Sequence, residues 1–267
     1  MNINGETKLL GLIGSNIRHS KSFVLHNSTM LREGINGVYL PFQIQKKQFL
    51  SCMNGLASLN CIGVNITLPF KEEAFMLADK LSVEAESIQA INTLVRENNE
   101  WIGHNTDHHG FTQSLEENNI QLSGRPIFIW GAGGAAKSVC YTLKQKNISA
   151  VSCWNRTIER IKTLRPLIDV EYYDRQTALP EKAILINCVP SSQKIDYPQQ
   201  LSFNPSHVVI DLSYWKTPLL QKAERCGATI IDGSGMLIHQ AAKAFSLWFP
   251  ASNPVQVMKN IYQETFQ

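Results

Sequence analysis

Residues 131–138 read GAGGAAKS, directly after the apolar run PIFIW (126–130) and at the head of a helix-length segment. A strand, a glycine-rich turn and a helix in that order form the opening unit of a parallel α/β sheet, with the loop facing a phosphate. Two kinds of phosphate compete for such a loop. A nucleoside-triphosphate loop requires glycine immediately before the Lys-Ser pair. Ala136 stands there, so that pattern is not met. The dinucleotide pattern GxGxxG/A is met by Gly131, Gly133 and Ala136. Gly131 allows the tight turn, Gly133 lets the backbone approach a pyrophosphate, and the small Ala136 lets helix and strand pack closely. The pyrophosphate would rest on the helix N-terminus, where unpaired N–H groups and the dipole favour an anion. A second strand, AVSCWN, ends at Asn155, about the distance at which the ribose is read. It is followed by Arg156 and Thr157 rather than by a carboxylate. Nothing there repels a 2′-phosphate and Arg156 can bind one, which points to NADP(H) as cofactor. The competing reading makes the loop a plain turn and Arg156 a solvated helix-start residue.

The rest of the chain fits a two-domain α/β protein. Its 267 residues suffice for one large domain or two ordinary ones. Strands are predicted at 9–14, 37–44, 61–68, 91–97 and 101–106, with helices over 21–34, closed by Gly34, and 71–81. Asn98-Asn99 is expected to turn a hairpin. From about 107 the chain settles into regular βαβ units. A helix over 109–119 is followed by strands at 126–130, 150–155, 184–189, 207–214 and 228–232, with helices after the glycine loop and over TIERIKTL (157–164). The apolar run GMLIHQAAKAFSLWF (235–249) reads as a helix that must pack on something. We therefore expect an N-terminal α/β substrate domain, residues 1–106, with 237–267 packing back on it, and a Rossmann-type dinucleotide-binding domain, residues 107–236.

Composition excludes several classes. A formal charge of +3, with no basic run, does not suit a nucleic-acid binder. No apolar stretch approaches the ~20 residues a membrane span needs, and the N-terminus lacks the order of a signal peptide. Six cysteines at 52, 61, 140, 153, 188 and 226 form no CxxC pair, which suits reduced thiols in the cytoplasm. No metal site is expected from them or from the adjacent His108 and His109, whose side chains diverge.

Three polar clusters interrupt the first domain's apolar strands: HSKS (19–22), NITLPFK (65–71) and NTD (105–107), with AINT (90–93) beside them. Each has a bland reading. Ser20, Ser22, Asn105 and Asp107 could cap helices, and Lys71 could be a solvated surface lysine. Hydroxyls, amides and one lysine converging from strand ends would suit a polyhydroxylated carboxylate. Together they carry a resemblance. HSKS…HN (19–27), GVNITLPFK (63–71), AINT (90–93), GHNTDHHGF (103–111), GAGGAA (131–136), NRTIER (155–160), DLSYWKTPLL (211–220) and DGSGMLIHQAAKAFSLW (232–248) resemble, in order, the motifs of the shikimate dehydrogenase family.

That resemblance implies NADPH-dependent reduction of 3-dehydroshikimate to shikimate, in aromatic amino-acid biosynthesis. It implies a substrate site of Ser20, Ser22, Thr67, Lys71, Asn92, Asp107, Tyr214 and Gln240. Lys71 would transfer the proton and Asp107 would be its partner. Gly131, Ala132, Gly133, Gly134 and Ala135, with Asn155, Arg156, Thr157, Arg160, Leu212 and Gly233, would hold the cofactor. The physical reading of Lys71 agrees. Pro69 suits a first helical turn, which puts Lys71 near a helix N-terminus that disfavours its ammonium, while a neighbouring Asp107 carboxylate favours it.

The chain departs from the family pattern where prolines are usual at Asn16 and Phe23, and where glycine is usual at His108. It also departs at Val189 after Asn187-Cys188, in PSSQK, which lacks a usual glycine, and after Tyr214, where the segment is about two residues short. Quinate or a related polyol acid therefore stays open as the substrate, as does a non-catalytic dinucleotide sensor. The only expected partner is the small-molecule substrate, for a monomer or a homodimer.

Overall fold

The computed structural model describes residues 3–190 and 201–267. In chain order the elements are β1 (Lys8–Gly14), α1 (Ser22–Arg32), β2 (Gly37–Gln43), α2 (Phe49–Ser58), β3 (Gly63–Ile66), α3 (Lys71–Leu77), β4 (Lys80–Leu81), α4 (Val83–Ile88), β5 (Thr93–Glu97), β6 (Glu100–His104) and α5 (Asp107–Glu117). There follow β7 (Ile127–Trp130), α6 (Gly134–Gln145), β8 (Ala150–Trp154), β9 (Asp169–Tyr172), β10 (Ile184–Asn187), β11 (Val208–Asp211), α7 (Pro218–Arg225), β12 (Thr229–Ile231), α8 (Ser234–Trp248) and α9 (Val255–Phe266). The chain divides into two compact units, residues 1–110 with 238–267, and residues 111–237.

The first unit is built on a mixed sheet in the order β2-β1-β3-β5-β6-β4. β1 runs parallel to β2 and β3, while β5 is antiparallel to β3 and β6. The β5–β6 hairpin turns at Asn98 and Asn99, both left-handed with φ of 49° and 67°, as an Asn-Asn turn between strands should be. Two elements are shorter than the apolar pattern predicts. The strand expected over 61–68 pairs only from Gly63 to Ile66. The helix expected over 71–81 stops at Leu77 because Asp79 is captured by the sheet: its N–H donates to Trp101 O at 2.9 Å and its carboxylate accepts Trp101 N–H at 2.7 Å. The tail returns to this unit. Trp248 Nε1 donates to Leu94 O at 3.1 Å and Lys21 Nζ donates to Tyr262 Oη at 2.7 Å.

The second unit is an all-parallel sheet in the order β12-β11-β10-β7-β8-β9. Counting from β7, this is the doubly wound 3-2-1-4-5-6 order of dinucleotide-binding folds. β7, β10 and β11 are buried at every residue, as strands covered on both faces must be. The expected helix over 157–164 is a 3₁₀ helix, Ile158–Leu164. Its buried residues, Ile161 and Leu164, are three apart, the spacing that eclipses side chains on a three-residue turn.

An aromatic cluster in the first unit's core encloses a histidine. His26 is 1% exposed, stacked on Tyr39 at 4.4 Å between ring centroids, with Trp248 at 5.3 Å and Phe245 at 6.0 Å. Burial pushes it down from 6.5 to about 3, against a smaller opposing effect of Asn65. Above pH 6.5 the ring is neutral in both states and contributes no pH dependence. As pH falls from 6.5 toward 3 the unfolded chain takes a proton that the folded one refuses, so stability declines by up to ~1.4 kcal/mol per pH unit. His26→Leu is expected to flatten that acid limb in urea unfolding at pH 7.5, 6 and 5. Identical pH slopes in the variant and the parent would exclude this origin.

Candidate active site

In the first unit the C-terminal ends of β1, β3 and β6 and the start of β5 lie on one edge of the sheet, since β3 and β6 both run opposite to β5. Ligands of open α/β sheets bind at such edges. After β1 come Ser20 and Ser22, with Ser22 N–H donating to Ser20 Oγ at 3.3 Å. Lys21 between them turns to the tail, its Nζ 4.3 and 4.4 Å from the ring centroids of Tyr262 and Phe266. That contact fixes the segment from the other side. Thr67 follows β3 and is tied to β1 by donating its N–H to Ile13 O at 2.9 Å.

Lys71 is the first residue of α3, and Phe70 is its N-cap. Pro69 therefore lies before the helix, not in its first turn. The reason is a tight turn closed by Phe70 N–H donating to Thr67 O at 3.0 Å. The Phe70 ring, fully buried and stacked on Phe49 at 5.1 Å, anchors that turn.

Asp107 opens α5. The capping task there falls to Asn105, whose Oδ1 accepts from Asp107 N–H at 3.1 Å and His108 N–H at 3.3 Å. The Asp107 carboxylate is thereby released for side chains. Its Oδ2 accepts a short hydrogen bond from Lys71 Nζ, in an ion pair with side chains 13% and 9% exposed. Its Oδ1 accepts from Asn92 Nδ2 at 2.9 Å. Asn92 is held by Thr106 N–H, which donates to its Oδ1 at 2.7 Å, and its Nδ2 also reaches Gln240 Oε1 at 3.3 Å. Lys71, Asn92, Asp107 and Gln240 thus form one hydrogen-bonded group. Burial lowers His108 from its usual value, against Glu84 and Asp107, so it is neutral at neutral pH and adds no cation beside the pair.

Asn65 belongs to this group; it opens the NITLPFK cluster but was assigned no role from the sequence. It is 6% exposed. It accepts from Tyr39 Oη at 2.7 Å and donates to Asn92 O at 3.2 Å and Thr93 Oγ1 at 3.0 Å. The available signal was an amide within GVNI, a strand otherwise apolar and buried throughout, because a buried amide must find partners.

The second unit carries the remaining candidates. Tyr214 follows β11, partly buried and edge-on to Trp215 at 5.1 Å. This stretch is braced by fully buried Asp211, which accepts from Asn187 Nδ2 at 3.0 Å, Thr217 Oγ1 at 2.8 Å and Ser213 N–H at 2.9 Å. Gly233 N–H donates to Ser213 O at 2.8 Å and its Cα lies against Leu212 O.

Gly131 has φ +101°, a conformation only glycine adopts without strain. A Cβ on Gly133 would meet nothing within 4 Å. Open space thus lies before the N-terminus of α6, whose Gly133 N-cap supplies no side-chain bond. This is the cradle a pyrophosphate needs. Asn155 braces the loop, accepting from Ala132 N–H at 3.0 Å and donating to Thr157 O at 2.7 Å. Arg156, Thr157 and Arg160 are exposed beside it. The residues present fit a dinucleotide.

Three family models match the chain. "Shikimate dehydrogenase substrate binding domain" covers residues 12–94, "Shikimate / quinate 5-dehydrogenase" residues 114–214, and "Shikimate 5'-dehydrogenase C-terminal domain" residues 233–261. A shikimate dehydrogenase (NADP(+)) of Pyrococcus furiosus is 37% identical over 97% of this chain and 96% of its own. The crystal structure of shikimate dehydrogenase from Aquifex aeolicus superposes with a TM-score of 0.87 at 33% identity, covering 97% of this chain and 99% of that one. A shikimate dehydrogenase solved in complex with NADP+ gives 0.84 at 30% identity, covering 100% and 98%.

The chain belongs to the shikimate dehydrogenase family. It is an NADP-dependent oxidoreductase.

Two departures from the family pattern have a visible setting. Phe23 packs at 5.9 Å on Tyr39 and joins the aromatic cluster around His26. Val189 donates its N–H to Asn187 Oδ1 at 3.2 Å, and its Cγ2 would lie 3.3 Å from a Cβ on Gly131. Nothing in the structure explains Asn16, which is exposed. Ser191, Ser192 and the rest of the PSSQK stretch after Pro190 lie outside the described residues. No helix among the described residues is long and apolar enough to cross a membrane.

Proposed function

We propose that the protein interconverts 3-dehydroshikimate and shikimate with Lys71 as the proton-transfer group and Asp107 as its partner. The observation that carries this is the buried Lys71–Asp107 pair bridged through Asn92 to Gln240. A lysine with one N–H held by a carboxylate keeps two others to offer. Bound NADPH supplies the hydride to the ring carbonyl carbon. Lys71 Nζ hands a proton to the carbonyl oxygen in reduction and takes it back from the hydroxyl in oxidation, while the hydrogen bond to Asp107 keeps Nζ aimed. Asn92, Gln240, Thr67 and Tyr214 hold the ring hydroxyls, and the hydroxyls of Ser20 and Ser22 bind the carboxylate.

The first unit is read as the substrate domain and the second as the cofactor domain. Gly131 to Ala135 carry the pyrophosphate; Asn155, Arg156, Thr157 and Arg160 surround the adenosine ribose; Leu212 and Gly233 complete the cofactor's environment. All six cysteines are free thiols, which supports a reducing, cytoplasmic setting.

The test is oxidation of shikimate and of quinate with NADP+ and with NAD+. We expect kcat/KM for shikimate with NADP+ to exceed that for quinate by at least about tenfold, because a surplus hydroxyl and a puckered ring leave polar groups mismatched. Quinate equal to or above shikimate would assign the chain to polyol-acid oxidation instead. No turnover of either would overturn the enzymatic reading.

A further inference from the structure

Beside Arg156 and Arg160, the cofactor unit holds an arginine near the same strand ends that the family motifs do not include. Arg175 lies in the loop after β9, the edge strand beside β8. The two strands are in register, with Cys153 opposite Tyr172 and Tyr173 N–H donating to Cys153 O at 2.9 Å. Their outgoing loops therefore leave the same sheet edge about 4.8 Å apart, the ordinary strand spacing. From its loop Arg175 reaches back over β8: its guanidinium carbon lies 4.2 Å from the ring centroid of Trp154. Trp154 directly precedes Asn155 and Arg156. The Arg175 cation is thus held over Trp154 at the end of the strand where an adenosine ribose is read in this fold.

Arg175 Nη1 is buried and has no hydrogen-bond partner, a state that costs stability unless something compensates it. The residue as a whole is partly exposed. The carboxylate of its neighbour Asp174 accepts from Gln176 N–H at 3.0 Å. Arg156 is exposed, on the adjoining loop. Two guanidinium groups at neighbouring strand ends repel one another, and a dianion between them removes the repulsion. A guanidinium fixed on an aromatic face presents its fork in one orientation, which suits the tetrahedral oxygens of a phosphate better than a lysine would.

We propose that Arg175, supported by Trp154, is a specificity-determining residue for the cofactor's 2′-phosphate, acting alongside Arg156. The inference rests on placing the adenosine ribose at the end of β8, and the test separates the two. Full-length Arg175→Ala, Arg175→Leu (which keeps apolar cover on Trp154), Arg175→Lys and Arg156→Ala would be titrated calorimetrically with adenosine 2′,5′-bisphosphate and with adenosine 5′-monophosphate. KM would be measured in parallel for NADP+ and NAD+. Loss of one charge-assisted contact is expected to weaken the bisphosphate by about ten- to a hundredfold in Arg175→Ala and Arg175→Leu, with the monophosphate, KM for NAD+ and kcat unchanged. Arg175→Lys should recover only part of the loss. If Arg156→Ala discriminates between the two nucleotides and the Arg175 variants do not, Arg175 is only a cover for Trp154 and the proposal fails alone. If neither position discriminates, the placement of the ribose fails with it. Equal weakening of both nucleotides by the Arg175 variants would mark a general disturbance of the loop and also overturn the proposal.

Discussion

Lys71→Ala is expected to lower the turnover number by about 10²–10⁴-fold while KM for shikimate changes little. On the proposed mechanism the side chain removed carries the proton, whereas Asn92 keeps its hydrogen bonds to Gln240, Thr106 and Asp107. A second effect follows from burial. With both side chains of the ion pair largely covered, removing the cation leaves a carboxylate without a counter-charge, which typically costs ~3–5 kcal/mol. Lys71→Ala should therefore unfold at lower denaturant than the parent, and adding Asp107→Asn should recover much of that stability by removing the stranded charge. Turnover should not recover with it. If the two groups act as one unit, the double variant is scarcely slower than Lys71→Ala. Denaturant midpoints and steady-state kinetics on the four proteins read both effects. A rise in KM with turnover intact at saturating shikimate would refute the proton-transfer role and make Lys71 a binding cation only.

The cofactor side has a comparable lever. Gly133→Val carries a branched side chain into the space before α6, where nothing in the protein lies within 4 Å of its Cβ. The backbone there, at φ −100° and ψ −170°, is ordinary extended conformation, so valine fits without strain and the cofactor-free fold should be unchanged. The pyrophosphate would lose several charge-assisted N–H contacts at ~1.5–3 kcal/mol each, and NADPH affinity should fall by about a hundredfold or more. Titration of NADPH against its own fluorescence measures this directly. Binding as tight as the parent's would show that the pyrophosphate lies elsewhere.

What could be read from the chain divides by range. The glycine loop is a contiguous pattern: the turn at Gly131, with its φ of +101°, and the small Ala136 lie within one short stretch, so the motif is visible without knowing what packs against it. Lys71 and Asp107 were legible as candidates because polar residues interrupt apolar strands, yet their pairing spans 36 positions and only the sheet's strand order brings them to one edge. The end of α3 was not legible. Its period continues past Leu77, but Asp79 is claimed by Trp101 across the sheet, and such pairing overrides a helical preference. Asn65 was overlooked for the same reason in reverse, since a single amide among valine and isoleucine has meaning only once Tyr39 and Asn92 stand on either side of it. Arg175 lies in an unremarkable polar stretch, DRQT, and only the register of β8 and β9 gives it a neighbour.

The return of the tail governs the order in which the chain can become native. The second unit is one uninterrupted run of sequence, closed by residue 237. The first is split around it, and its aromatic centre joins His26 and Tyr39 to Phe245 and Trp248. Lys21 and Tyr262 meet across 241 positions. On a ribosome the early segment must wait with that centre half open until the last helices emerge, while the later-made unit can close first. Contacts of such sequence separation are slow to form and leave apolar surface uncovered meanwhile. This half of the protein, which carries the Lys71–Asp107 ion pair, is therefore the half most exposed to aggregation during synthesis and the one a chaperone would be expected to hold.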